Sequence, residues 1–180
     1  MEDNIISKIN KKNLLGYGSG RIVFDLENEM VLKIPYNNMG IQSNKLEVEY
    51  FKEKPDIVAK IYKYEKNLIF QEKLYNTITV PYEYTLNGTV EDYLEQLGIN
   101  VEKDFLNEML NTRVQIGKDL NGKYKFFDYE DVKLKRIEII DEFRMSDCWL
   151  DDFFRYVQEY GINNIEKWET YEDHRGFLTK

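Results

Sequence analysis

Three glycines and one lysine carry the first hint of chemistry in this 180-residue chain. Gly16, Gly18 and Gly20 stand in LGYGSG, the run RIVFDL follows, and Lys33 lies inside MVLKIP. Glycines so spaced let backbone N–H groups approach a ligand closely and cradle phosphate oxygens. Taken alone they fit a flexible hairpin turn equally well. A Walker loop needs Gly-Lys-Ser/Thr opening a helix, and a dinucleotide fingerprint also runs into a helix. Here a strand-like run follows, which predicts a loop folded over a nucleotide with the next strand bringing Lys33 beneath it. A lone lysine in an apolar strand ordinarily sits at an edge with its ammonium in water. Glu47 and Glu49, further along, offer a carboxylate that could pair with Lys33 and orient it toward phosphates. Glu47 is the preferred partner, because it lies beside the face formed by Leu46 and Tyr50.

Those residues need elements to hold them. Short β-branched or aromatic runs (LLGYGS, RIVFDLE, MVLKIP, VAKIYKYEK, NLIFQEKL) are separated by turn material such as ENE and EKN, which predicts strands over 14–74. One helical stretch, GIQSNKLEVEYFKEK, falls between the third and fourth runs. After Tyr75 the pattern reads as helical. TVEDYLEQLG opens on Thr89 as an N-cap and closes on Gly98, and VEKDFLNEML follows as a second short helix. RVQIGKDLNGKYKFFDYE predicts a hairpin around Asn121-Gly122. From Val132 on, periodic apolar residues (Ile137, Ile140, Phe143; Trp149, Phe153, Tyr156, Val157) predict closing helices. The expected class is α+β: a small five-stranded antiparallel sheet with one helix over 1–74, and a reduced, mostly helical remainder carrying a β-hairpin over 75–180. The two are expected to form one compact unit.

Bulk composition narrows the function. Hydrophobic residues make up 42% and charged residues 32%, so the chain can bury a core and is not of the disordered class. A net charge of −8 speaks against a general nucleic-acid binder and is compatible with a basic protein partner. One cysteine, Cys148, excludes an internal disulfide and leaves no thiolate cluster for zinc. No 18-residue apolar run and no signal-peptide core are present, so a cytoplasmic location is expected and no membrane association.

LGYGSGRIVF, MVLKI, NKLEVEYF and NLIFQEKL, in that order, resemble the N-terminal lobe of the protein-kinase-like fold, and most of all the compact kinase-like proteins of bacteria and phages. The resemblance covers roughly 60 residues. It implies a Gly-rich loop (Gly16, Gly18, Gly20, Val23), a phosphate-pairing Lys33 and its helix glutamate Glu47. It also implies a hinge near Gln71 and Leu74 whose backbone would hold adenine. Arg21 stands where the family's third glycine falls. ATP and Mg²⁺ are the implied cofactors. In the second half, KFFDYE resembles the strand entering the family's Asp-Phe-Gly segment, which makes Asp128 the implied metal ligand and puts Glu130 in place of the glycine.

Counting back from Asp128, the family's metal-binding asparagine falls on Gln115 and its catalytic aspartate on Leu110. Glutamine can reach a metal with altered geometry; leucine cannot accept a proton. Glu108 and Asn111 are near but stand at other offsets. The segment from the hinge to Gln115 is also shorter than the family's usual first C-lobe helices. The expected function is therefore a kinase-like pseudoenzyme that binds a macromolecular partner, in the manner of a phage or mobile-element inhibitor or accessory protein. The alternative is an active ATP-dependent phosphotransferase using Lys33, Glu47 and Asp128, with Glu108 or a substrate group as base. The acidic, aromatic stretch DEFRMSDCWLDDFF (Asp141, Glu142, Asp147, Asp151, Asp152) reads first as a solvated helix face and second as a surface for a basic partner. His174, flanked by Asp173 and Arg175 near the end, reads as a solvated tail, and Cys148 as a packed thiol.

Overall fold

Alternation of apolar and polar residues builds the first sheet. In the computed structural model, which describes residues 5–18, 20–101, 103, 106–107, 113–130 and 147–168, five strands make it. They are β1 (Leu14–Tyr17), β2 (Arg21–Asp25), β3 (Met30–Pro35), β4 (Ile61–Glu65) and β5 (Leu68–Glu72). Their order is β1-β2-β3-β5-β4, and the pairs β1–β2, β2–β3 and β4–β5 are antiparallel. The sequence-predicted five strands and the helix between the third and fourth are all present; that helix, α1, spans Asn38–Glu53.

By its contacts the chain divides into two units, 1–45 with 61–71 and 141–180, and 46–60 with 72–140. The expected boundary at residue 74 gathers the same five strands, but the contacts add the C-terminal helix α4 (Asp147–Tyr160) to them. The reason is the period of that helix. Leu150, Phe153, Phe154 and Val157 form one apolar stripe, which buries against Ile22, Phe24, Leu32 and Ile34 of the sheet. Phe24 meets Phe154 edge-on at 6.0 Å. Gly161, at φ 77°, turns the chain out of the helix, and the next turn (Ile162–Lys167) delivers Trp168. Its ring lies 5.1 to 5.5 Å from those of Trp149, Phe153 and Tyr156.

In the same unit Lys8 bonds Glu27. The hydrogen bond and charge of Lys8 hold the Glu27 carboxyl below the usual carboxylate range. Its folded pKa lies below its unfolded one, so any stabilisation is present above the unfolded pKa and fades as pH falls through the folded one. Screened at the surface, the pair contributes little.

The second unit differs from the expected mostly helical remainder. It holds a three-stranded antiparallel sheet, β6 (Tyr75–Thr79), β7 (Arg113–Lys118) and β8 (Tyr124–Glu130), in that order. Tyr75–Thr79, in the region read as helical, instead pairs with β7, Tyr75 opposite Lys118 and Thr79 opposite Gln115. YNTIT is a short β-branched run whose edge pairing is supplied by a strand almost 40 residues away, which no local pattern reports. The β7–β8 hairpin turns as the Asn121-Gly122 signal predicts. Gly122 takes φ 79°, and the Asp119 carboxylate accepts from the N–H groups of Asn121 and Lys123, each at 2.9 Å.

Helices α2 (Tyr82–Asn87) and α3 (Val90–Gln96) belong to this unit, which also takes the second half of α1. Gly98, at φ 69°, ends α3 as predicted. Its N–H reaches the Glu95 carbonyl at 2.9 Å and the Ile99 N–H the Leu94 carbonyl at 2.8 Å, which is a Schellman cap. Thr89 sits at the N-cap position, but its side chain makes no capping hydrogen bond. The core here is Val80, Val90, Leu94, Ile99, Ile116 and Phe126. The rest of the VEKDFLNEML helix, and residues 131–146 with Ile137, Ile140 and Phe143, lie outside the described residues.

Gly117 of β7 is a close-approach glycine. A Cβ there would stand 2.7 Å from the Leu74 Cβ and 3.1 Å from a Thr77 methyl. Gly117→Ala is expected to loosen β6 from β7 and cost about 1–3 kcal/mol, the usual range for overpacking. Chemical denaturation of the variant checks this.

Candidate functional site

Strand register brings the glycine loop and the lysine together. Gly16 pairs with Val23, and Val23 pairs with Lys33, so the three form one row across β1, β2 and β3. Successive side chains alternate between faces. Val23 and Lys33 therefore lie on the face opposite Ile22, Phe24, Leu32 and Ile34, which pack under α4. Lys33 is only 2% exposed, far from the edge position expected of a lone strand lysine. A buried ammonium costs several kcal/mol unless polar groups surround it.

The three glycines have different jobs. A Cβ on Gly16 or Gly18 would meet nothing within 4 Å. A Cβ on Gly20 would stand 2.5 Å from the Gly40 backbone nitrogen, and one on Gly40 would stand 1.9 Å from the Gly20 carbonyl oxygen. Gly20 and Gly40 thus lie backbone against backbone, which seats the end of the loop on the first turn of α1. Asn37 caps that turn by accepting from the Gly40 N–H at 2.9 Å. Tyr36 holds the loop twice: its N–H donates to the Gly20 carbonyl at 3.0 Å and its hydroxyl to the Gly18 carbonyl at 2.7 Å. Arg21 is buried, and its Nη1 donates to Asn44 Oδ1 at 3.2 Å. Asn44 in turn donates to the Asn67 carbonyl at 2.6 Å in the β4–β5 turn. Arg21 is therefore a structural tie between β2 and α1.

Of the two glutamates on α1, Glu47 is fully buried and Glu49 exposed. Gln71, at the end of β5 opposite Ile61, is 1% exposed; Leu74 is half-buried over Gly117. Gln115 lies in β7 opposite Phe127, and Asp128 is the next residue along β8. Glu108, Leu110, Asn111, Asp141, Glu142 and His174 lie outside the described residues. Among the described residues no group of three or more His, Cys, Asp or Glu side chains could hold a metal ion. Beside the loop, residues 35–38, Ile41, Asn67 and Ile165 line a cleft of about 130 Å³. That is well below the roughly 300 Å³ at which small-molecule pockets begin.

Sequence reasoning missed Tyr36, Asn37 and Gly40. The signal was there in part: an asparagine two residues after Pro35 and three before Gly40 marks a capped helix start. That the glycine would face another glycine was not.

No family model matches the chain, and no curated protein matches it. Among solved structures it is similar to a SAICAR synthetase (Type-2) in complex with ADP, at a TM-score of 0.42 and 14% identity, covering 81% of this chain and 96% of that one. No helix among the described residues is long and apolar enough to cross a membrane.

Proposed function

We propose that this protein is a kinase-like nucleotide binder without a catalytic base, which acts by binding a macromolecular partner. The nucleotide half rests on one observation, the Gly16–Val23–Lys33 row across three neighbouring strands. In it an open glycine backbone and a lysine share a sheet face, the arrangement that backbone N–H groups and a point charge need to hold phosphates. Glu47, Gln71, Leu74, Gln115 and Asp128 keep, in this reading, the roles that the kinase resemblance gives them, with ATP and Mg²⁺ as ligands. The partner half rests on Leu110, a side chain that cannot take a proton, at the offset of the base. The net charge of −8 suits a protein partner with a basic surface.

The test is a thermal-shift titration with ATP and Mg²⁺, paired with an assay for release or transfer of the γ-phosphoryl group. A ligand that binds only the folded chain raises stability by RT ln(1 + [L]/Kd), about 2.7 kcal/mol at a hundredfold excess over Kd. The natural chain is expected to respond and Lys33→Met not to, with no phosphoryl transfer by either. Turnover by the natural chain would replace this reading with the active phosphotransferase. No response at millimolar nucleotide would remove the nucleotide half.

A further inference from the structure

Tyr36 touches two parts of the first unit that are far apart in sequence. Its hydroxyl and N–H hold the carbonyls of Gly18 and Gly20, as described. Its ring meets the Trp149 ring edge-on at 5.1 Å. Trp149 is stacked on Phe153 at 5.6 Å and 8°, and stands edge-on to Trp168 at 5.4 Å. Phe153 and Trp168 are among the largest fully buried side chains. A continuous line of contacts therefore runs from the glycine loop through one tyrosine to the aromatic core under α4.

We propose that Tyr36 is a positioning residue that couples the glycine loop to the C-terminal helix, so that the packing of α4 sets how firmly the loop is held for its ligand. The geometry favours coupling over coincidence for three reasons. Tyr36 follows β3 directly, so its backbone position is fixed by the strand that carries Lys33. Its hydroxyl bonds a main-chain carbonyl, so the bond constrains the loop backbone itself. A Cβ on Gly16, or on Gly18 whose carbonyl accepts that bond, would meet nothing within 4 Å, so the loop is held here through its main chain, by this bond and by the Gly18 N–H to the Arg21 carbonyl at 2.9 Å. Anything that shifts Trp149 acts on the ring whose far end clips the loop. The consequence for ligand affinity rests on the nucleotide reading above; the mechanical coupling does not. A loop held in its competent form binds without the loss in apparent affinity that a partly populated form incurs.

Amide hydrogen exchange tests the coupling without any ligand. Tyr36→Phe removes the hydroxyl and keeps the ring. It is expected to speed exchange at Gly16, Gly18 and Gly20 roughly two- to tenfold, as loss of one hydrogen bond implies, while Leu32 and Ile69 amides stay unchanged. Trp149→Leu changes the ring that Tyr36 packs against and should speed the same three amides; Trp149→Phe serves if the leucine variant does not fold. Unmoved glycine amides in Tyr36→Phe would overturn the proposal, and so would glycine amides that respond to Tyr36→Phe but to neither Trp149 variant. ATP and Mg²⁺ added to the natural chain and to Tyr36→Phe complete the test. If both bind, Tyr36→Phe should bind more weakly by about the factor seen in exchange, and equal affinity would overturn the link to the ligand. If neither binds, the nucleotide reading fails while the exchange result decides the coupling.

Discussion

Gly20→Ala and Gly40→Ala are each expected to lower the melting temperature sharply, while Gly16→Ala and Gly18→Ala leave it unchanged. The physical difference is what the new methyl group meets. At Gly20 it would enter the Gly40 main chain at 2.5 Å, and at Gly40 the Gly20 carbonyl at 1.9 Å. Main chain cannot swing aside as a long side chain can, so the loop must leave the helix or the helix must shift. Either movement strains the Tyr36 N–H bond to Gly20 and the Asn37 cap on Gly40. Overpacking usually costs about 1–3 kcal/mol, and contact with rigid backbone belongs at or above the top of that range. For a chain of this size that is roughly 6 °C or more in Tm. Thermal melts of the four variants check it, and a native-like Gly20→Ala would show that the two backbones do not meet. The pattern also separates fold from function. Because Gly16→Ala leaves stability alone, a change in nucleotide response in that variant would test the proposed nucleotide reading separately from the fold.

Phe153→Ala is expected to destabilise the first unit strongly, at about 3–5 kcal/mol. Phe153 is fully buried, stacks on Trp149, and stands edge-on to Phe154 at 6.3 Å and to Trp168 at 5.5 Å. The space left behind is walled by large rings, which cannot close in on it. Denaturant unfolding followed by tryptophan fluorescence measures the loss, since Trp149 and Trp168 both border the site. Asp151→Ala, two residues earlier on the same helix, is the contrast. Its carboxylate is exposed and pairs with Lys11 at 3.0 Å, an interaction worth under about 1 kcal/mol. A large loss there with a small one at Phe153 would mean the charged face, not the apolar stripe, holds the helix.

The charged reading and the apolar reading of that helix were both visible in DEFRMSDCWLDDFF. Periodicity identified Trp149, Phe153, Tyr156 and Val157 as one face, and the face is buried. Where it is buried could not be read, because the stripe says only that some apolar surface must cover it. The sheet that covers it was itself legible, since Ile22, Phe24, Leu32 and Ile34 alternate with residues of the other face. Nothing local joins a stripe at residue 150 to strands before residue 35.

The candidate site divides in the same way. Local chemistry determined the glycine loop, the strand after it, Lys33, the helix with Glu47, and the hairpin at Asn121-Gly122, because turn residues and alternation act within a few positions of themselves. Tertiary structure decided the rest. Register put Gly16, Val23 and Lys33 in one row. Close approach gave Gly20 to Gly40 rather than to a ligand. Strand pairing made Tyr75–Thr79 part of a sheet, and an aromatic contact joined Tyr36 to Trp149. Each of these depends on two segments meeting in space, and a sequence fixes such meetings only through the free energy of the whole chain.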